Sequence, residues 1–151
     1  MNKTIRMVCL VMAIVISLTL TVNAEDGNTY SSAFIASYDS FISIPSGRTM
    51  EIWFDVVGKG EMDEIGVESI KLQRSSDGSN WTTIRTFLPE NYPQMIIENT
   101  GINCDCITYT GAYGYYYRAY VAFYASNSRG WGNEYEYTPT IYIMPPAGFI
   151  P

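Results

Sequence analysis

Several groups of side chains in this 151-residue chain have types and spacings that could do chemistry. In RSSDGSNWTTI, residues 74–84, Ser75, Asp77, Gly78 and Trp81 crowd one short stretch. That could be a calcium loop, a sugar-binding loop or a plain hairpin turn. Gly tolerates positive φ and Asp hydrogen-bonds its neighbours' backbone, so turn chemistry alone accounts for it, and the hairpin is the preferred reading. Cys104 and Cys106 form a Cys-x-Cys pair. A bridge between them would close a very small ring, stabilise little and be strained, hence reducible. The alternatives are two free thiols or pairing with another chain. Glu61, Asp63 and Glu64 crowd one loop and could meet calcium, but their spacing is not that of an EF-hand and a solvated acidic loop explains them. In YYYRAYVAFYA, Tyr116, Arg118, Tyr120 and Tyr124 share parity and would line one face of a strand. Such a stripe could stack on sugar rings or on a partner's side chains. The preferred alternative is a cross-strand ladder with Lys71, Gln73, Glu134 and Glu136. Trp131, in the Gly-flanked SRGWGN, is either a ligand contact at a loop tip or a staple over one end of the fold.

What is missing narrows the field. The chain has no histidine, which removes Ser-His-Asp and Cys-His catalysis and imidazole metal sites. Zinc would need more ligands than the two cysteines, so no metal and no cofactor are expected. No motif places two carboxylates across a cleft as a hydrolase would require. The expectation is a protein without catalytic residues.

The first 24 residues have the layout of a signal peptide. Lys3 and Arg6 precede the uncharged apolar run MVCLVMAIVISLTL, and Val22 and Ala24 occupy the small-residue positions before a cut. The run is shorter than the roughly 20 residues of a membrane span. Cleavage after Ala24 would remove two bases and no acid, taking the net charge from −6 to −8. An acidic exported domain argues against nucleic acid and anionic lipid as partners. It leaves an extracellular protein or glycan, with no stable membrane span after cleavage.

The elements that must position these residues read as strands. TMEIWFDVV alternates with Met50, Ile52, Phe54 and Val56 on one side, and ESIKLQR alternates with Ile70 and Leu72 inward. Asp77-Gly78 between ESIKLQR and WTTIRTF is a hairpin signal. Further strands are expected over Tyr38 to Ile44, MIIE, YYYRAYVAFYA and YEYTPTIYI, where Pro139 suggests an edge or a bulge. GKGEMDEIG reads as a loop and NTGINCDCITYTGAYG as a crossing segment. No stretch has helical period. Residues 25–37 read as a flexible lead-in, 38–145 as one β-sandwich domain and 146–151 as a tail.

The order KLQRSSDGSNWTTI, a crossing, then YYYRAYV resembles the C to F strands of bacterial fibronectin type III domains. The likeness spans roughly residues 48–143. It implies an all-β, immunoglobulin/fibronectin type III-like antiparallel sandwich of about seven strands. It also implies that Tyr115 is the corner tyrosine, with Tyr117, Ala119, Val121 and Phe123 facing the core. Phe54 then stands where the family has its core tryptophan, and Tyr109 where it has a leucine. The SDG turn is similar to the Asp-box of sialidase repeats, with tighter spacing and in one copy. The chain also looks like small secreted proteins of Gram-positive bacteria, a likeness that implies no activity. Such sandwiches are more often binding or spacing modules than enzymes. The expected function is a secreted, non-enzymatic interaction module. One alternative is a carbohydrate-binding module using Tyr116, Tyr120, Tyr124 and Trp131. Another is a self-assembling surface subunit pairing through an exposed strand edge.

Overall fold

A computed structural model describes residues 32–148. The expected signal peptide, much of the 25–37 segment and the end of the 146–151 tail lie outside the described residues. Among the described residues, no helix is long and apolar enough to cross a membrane.

Seven strands form one curled antiparallel sheet. They are β1 (Ile35–Ser46), β2 (Thr49–Ser75), β3 (Thr82–Phe87), β4 (Ile96–Thr110), β5 (Tyr115–Asn127), β6 (Gly130–Tyr137) and β7 (Ile141–Ile143). A short 3-10 turn, Pro93–Met95, precedes β4.

β2 organises the sheet. Its first part lies between β1 and β4, with Phe54 opposite Ser40 on one side and Asp105 on the other. Its last part lies between β3 and β5, with Leu72 opposite Arg85 and Ala119. The stretch GKGEMDEIG, expected as a loop, is extended and joins the two parts into one strand of 27 residues. Register shifts between Val57 and Met62 and between Val67 and Ser69 absorb the change of direction, since each bulge bends and twists a strand locally. The expected crossing segment is mostly β4, which pairs with β2 from Thr49↔Thr110 to Gly66↔Ile96. Polar residues at Asn99, Thr100, Asn103 and Asp105 hide its period. β1 begins at Ile35, so the last residues of the lead-in already belong to the sheet, and Ile35 is buried.

The core lies inside the curl. Met50, Ile52, Phe54, Val56, Ile70 and Leu72 from β2 meet Tyr117, Ala119, Val121 and Phe123 from β5. These are the inward positions that period two predicts. β1 closes over β5, with the Tyr38 and Phe123 rings 4.9 Å apart.

The tyrosine that ties the loop before β5 lies two residues after the expected one. The Tyr117 hydroxyl, not that of Tyr115, accepts from Ala112 N at 2.7 Å and reaches the Ala112 carbonyl at 3.3 Å. Tyr117 is buried and can tie the incoming loop from within. Tyr115 instead lies under the Arg74 guanidinium, 4.4 Å from its ring centroid.

The outer surface of the β1–β2–β4 part is acidic. Phe41 and Trp53 stack there at 6.1 Å, and Trp53 Nε1 donates to Glu51. Asp39 and Asp55 stand directly opposite each other. Burial, with Asp39 adding repulsion, pushes the Asp55 carboxyl up to about 6 from 3.8. Because the folded value lies above the unfolded one, the folded chain holds this proton more tightly. The resulting stability is present in full below about pH 4 and is lost as pH rises through about 6. Asp55→Asn is therefore expected to flatten the stability profile between pH 4 and 7. At pH 7 it should add about 1 kcal/mol, the figure being discounted for partial solvent screening. Urea melts of both proteins at several pH values check this; an unchanged slope would remove Asp55 as its source.

Candidate functional site: an aromatic sheet face

The outward positions of β5 continue into those of its neighbours. Tyr116 is opposite Ser75 of β2 and Tyr142 of β7. Arg118 is opposite Gln73; Tyr120 lies between Lys71 and Tyr137; Ala122 faces Tyr135; Tyr124 faces Asn133; Ser126 faces Trp131. Because side chains alternate across a strand, this register puts Tyr116, Arg118, Tyr120, Tyr124 and Trp131 on the same face. Five residues singled out from the sequence are thus brought together. Trp81, Tyr135, Tyr137 and Tyr142 join them, although sequence reasoning had not linked them to this surface. The signal for two of them was the alternation NEYEY.

Arg118 is the fixed centre of the face. Its guanidinium lies 4.3 Å from the Trp81 ring centroid and 4.2 Å from that of Tyr137, and Nε donates to Gln73 Oε1 at 2.9 Å. A planar cation held between two rings keeps its orientation, and the rings gain from its charge. Tyr120 continues the row, 4.8 Å from Tyr137 and 5.9 Å from Tyr135, to which it is parallel within 5°. Tyr116 and Tyr142 pair at 4.7 Å. Tyr135 and Tyr137 are half exposed, Tyr142 is 41% exposed and Trp131 66%. Trp131 is thus open on the sheet face.

The ladder partners differ from expectation in one respect. Lys71 and Gln73 lie on this face, but Glu134 and Glu136 point the other way, toward β1. Ser40 Oγ donates to Glu136 at 2.6 Å and Ser32 N donates to Glu134 at 2.7 Å. Register decides this: Glu136 pairs with Val121 and Glu134 with Phe123, both core positions. Burial raises the Glu136 carboxyl above its ordinary value despite the Ser40 hydrogen bonds.

The Asp77 carboxylate is engaged by backbone and side-chain donors of its own turn. Asp77 accepts from Ser79 N and Asn80 N at 2.8 Å each, from Asn80 Nδ2 at 2.7 Å and from Ser75 Oγ at 2.8 Å. These donors hold its carboxyl well below the usual range. Gly78 takes φ +74 and lies against the Tyr116 ring. The turn thus supports the face at the end where Trp81 enters it.

Cys104 and Cys106 share the outer side of β4, opposite Asp55 and Trp53. Cys106 is a free thiol, so no bond joins the two. In an extended strand, residues two apart lie roughly 6.7 Å apart with parallel Cβ vectors, at the limit of disulfide geometry. Burial, with Glu51 and Asp105 adding repulsion, pushes the Cys106 thiol up to about 11, which keeps it protonated at neutral pH. Cys106 N donates to Asp105 Oδ1 at 2.7 Å. Glu61, Asp63 and Glu64 lie within β2, and among the described residues no group of three or more acids, cysteines or histidines is placed to hold a metal ion.

No protein-family model, curated protein or solved structure matches the chain.

Proposed function

We propose that this protein is a secreted, non-enzymatic interaction module that binds an extracellular partner through the outer face of β2, β5, β6 and β7. The observation that carries this reading is the aromatic row centred on Arg118, with Tyr135, Tyr137, Tyr142 and Trp131 open to solvent. Tyr, Trp and Arg are the residues that most often dominate binding surfaces. A sandwich of fibronectin type III or immunoglobulin type is the finer fold reading. It is supported by the division of β2 into a part flanked by β1 and β4 and a part flanked by β3 and β5. The Tyr117 hydroxyl bond to its preceding loop supports it as well.

A carbohydrate partner is favoured over a protein one by a specific feature. The large exposed hydrophobic residues within β6 and β7 are Trp131, Tyr135, Tyr137 and Tyr142, each with a ring and a hydrogen-bonding group. Arrays of glycans and extracellular proteins, probed with the intact protein, test the module. Tyr120→Ala/Tyr137→Ala is expected to weaken capture by about a hundredfold or more while the protein stays folded, since central interface aromatics are worth about 2 kcal/mol each. Undiminished binding by that folded variant would remove the face from the proposal.

A further inference from the structure

The centre of the face is cationic on an acidic protein. By register, the charged side chains in its middle are Lys71 and Arg118. Glu64, opposite Ser126, and Glu68 stand toward the Trp131 end, where the Glu68 carboxylate accepts from Asn133 Nδ2 at 3.3 Å. The acids Asp39, Glu51 and Asp55 lie on the outer side of the opposite part of the sheet. Charges separated by more than about 8 Å are largely screened at physiological salt, so a ligand on this face meets local charge rather than the protein's net charge.

The two central cations are placed differently. Arg118 is held by Gln73 and two rings. Lys71 is exposed, and its cross-strand neighbours Thr86 and Tyr120 are uncharged. An exposed ammonium beside a row of tyrosines suits a ligand with a ring to stack and a carboxylate close to it. We propose that this face takes an acidic glycan, a uronate-bearing polysaccharide, with Lys71 and Arg118 meeting the carboxylates and the tyrosine rings stacking on the sugars. This rests on the carbohydrate form of the reading above and adds the charge of the ligand.

The test uses the intact protein with immobilised polygalacturonate and with its methyl ester, which keeps the rings and removes the charge. The acid polymer is expected to retain the protein, with binding falling as salt is raised. Esterification and Lys71→Gln should each weaken binding about tenfold, the usual scale of one charge-assisted contact. Arg129→Gln, in the exposed turn before β6, should not. Arg118→Gln disturbs the rings it separates, so Lys71→Gln is the decisive variant. Equal binding of both polymers, or binding indifferent to Lys71→Gln, overturns the charge inference and leaves the aromatic module standing. Retention by neither polymer overturns the acidic-glycan inference, and the array with Tyr120→Ala/Tyr137→Ala then decides separately whether the face binds a partner.

Discussion

Gly66→Ala is expected to prevent stable folding, or to destabilise the protein by roughly 4 kcal/mol or more, the range that marks a specific steric failure. Gly66 sits where β2 passes from one part of the sheet to the other. It pairs with Ile96 on one side and Tyr124 on the other. Its φ is +154, a backbone setting that costs an L side chain energy. Space is the greater obstacle: a Cβ there would run into the Met95 carbonyl oxygen, with Asn103 Nδ2 at 2.7 Å and Ile96 Cα at 2.9 Å. Two of these are backbone atoms of the segment paired with Gly66, so neither can move without breaking the β2–β4 ladder. Circular dichroism and a urea melt give the answer. Gly47→Ala is the control, since Gly47 also has positive φ (+55) but nothing lies within 4 Å of a Cβ there. If Gly66→Ala cost no more than Gly47→Ala, the close approach would not be what requires glycine.

Asn103→Ala should cost about 2–3 kcal/mol, the scale of stripping buried carbonyls of their donor. Asn103 is buried, and Nδ2 donates toward Ile65 O at 3.3 Å, Gln94 O at 3.1 Å and Met95 O at 3.0 Å. One amide thus ties β2, the 3-10 turn and β4 together. Asn103→Asp is expected to be worse, because a carboxylate turns an acceptor toward three acceptors in a buried site. Thermal melts of both variants decide it; a Tm within a degree or two of wild type would show the carbonyls finding other donors. Asn103 and Gly66 are close neighbours, so the double variant should lose less than the sum of the two.

The parts of this structure that local pattern controls were legible. TMEIWFDVV, ESIKLQR and YYYRAYVAFYA form strands whose inward residues are buried as period two requires. Tyr116, Arg118, Tyr120 and Tyr124 share a face because strand alternation leaves no other choice. What was not legible depends on which strands become neighbours. β4 carries polar residues whose partners, such as the carbonyls around Asn103, belong to other segments. Glu134 and Glu136 face β1 because β6 pairs Tyr137 with Tyr120, a register invisible within YEYTPTIYI. The same register draws Tyr135 and Tyr137 to the aromatic face, and Trp81 reaches it from beyond a turn. The loop-tying tyrosine is Tyr117 rather than Tyr115 because only the inward member of the run can reach Ala112 from the core. Cys104 and Cys106 are not joined to each other because the segment that carries both is extended rather than looped.

The continuity of β2 has a mechanical consequence. One unbroken backbone pairs with β1, β3, β4 and β5 in turn. Neither part of the sheet can let go of this strand without unpairing its own neighbours, so the two do not behave as separable halves. Tension applied along the chain would load the β2 hydrogen bonds on both parts together. Such a domain resists up to a single threshold and then yields in one cooperative event.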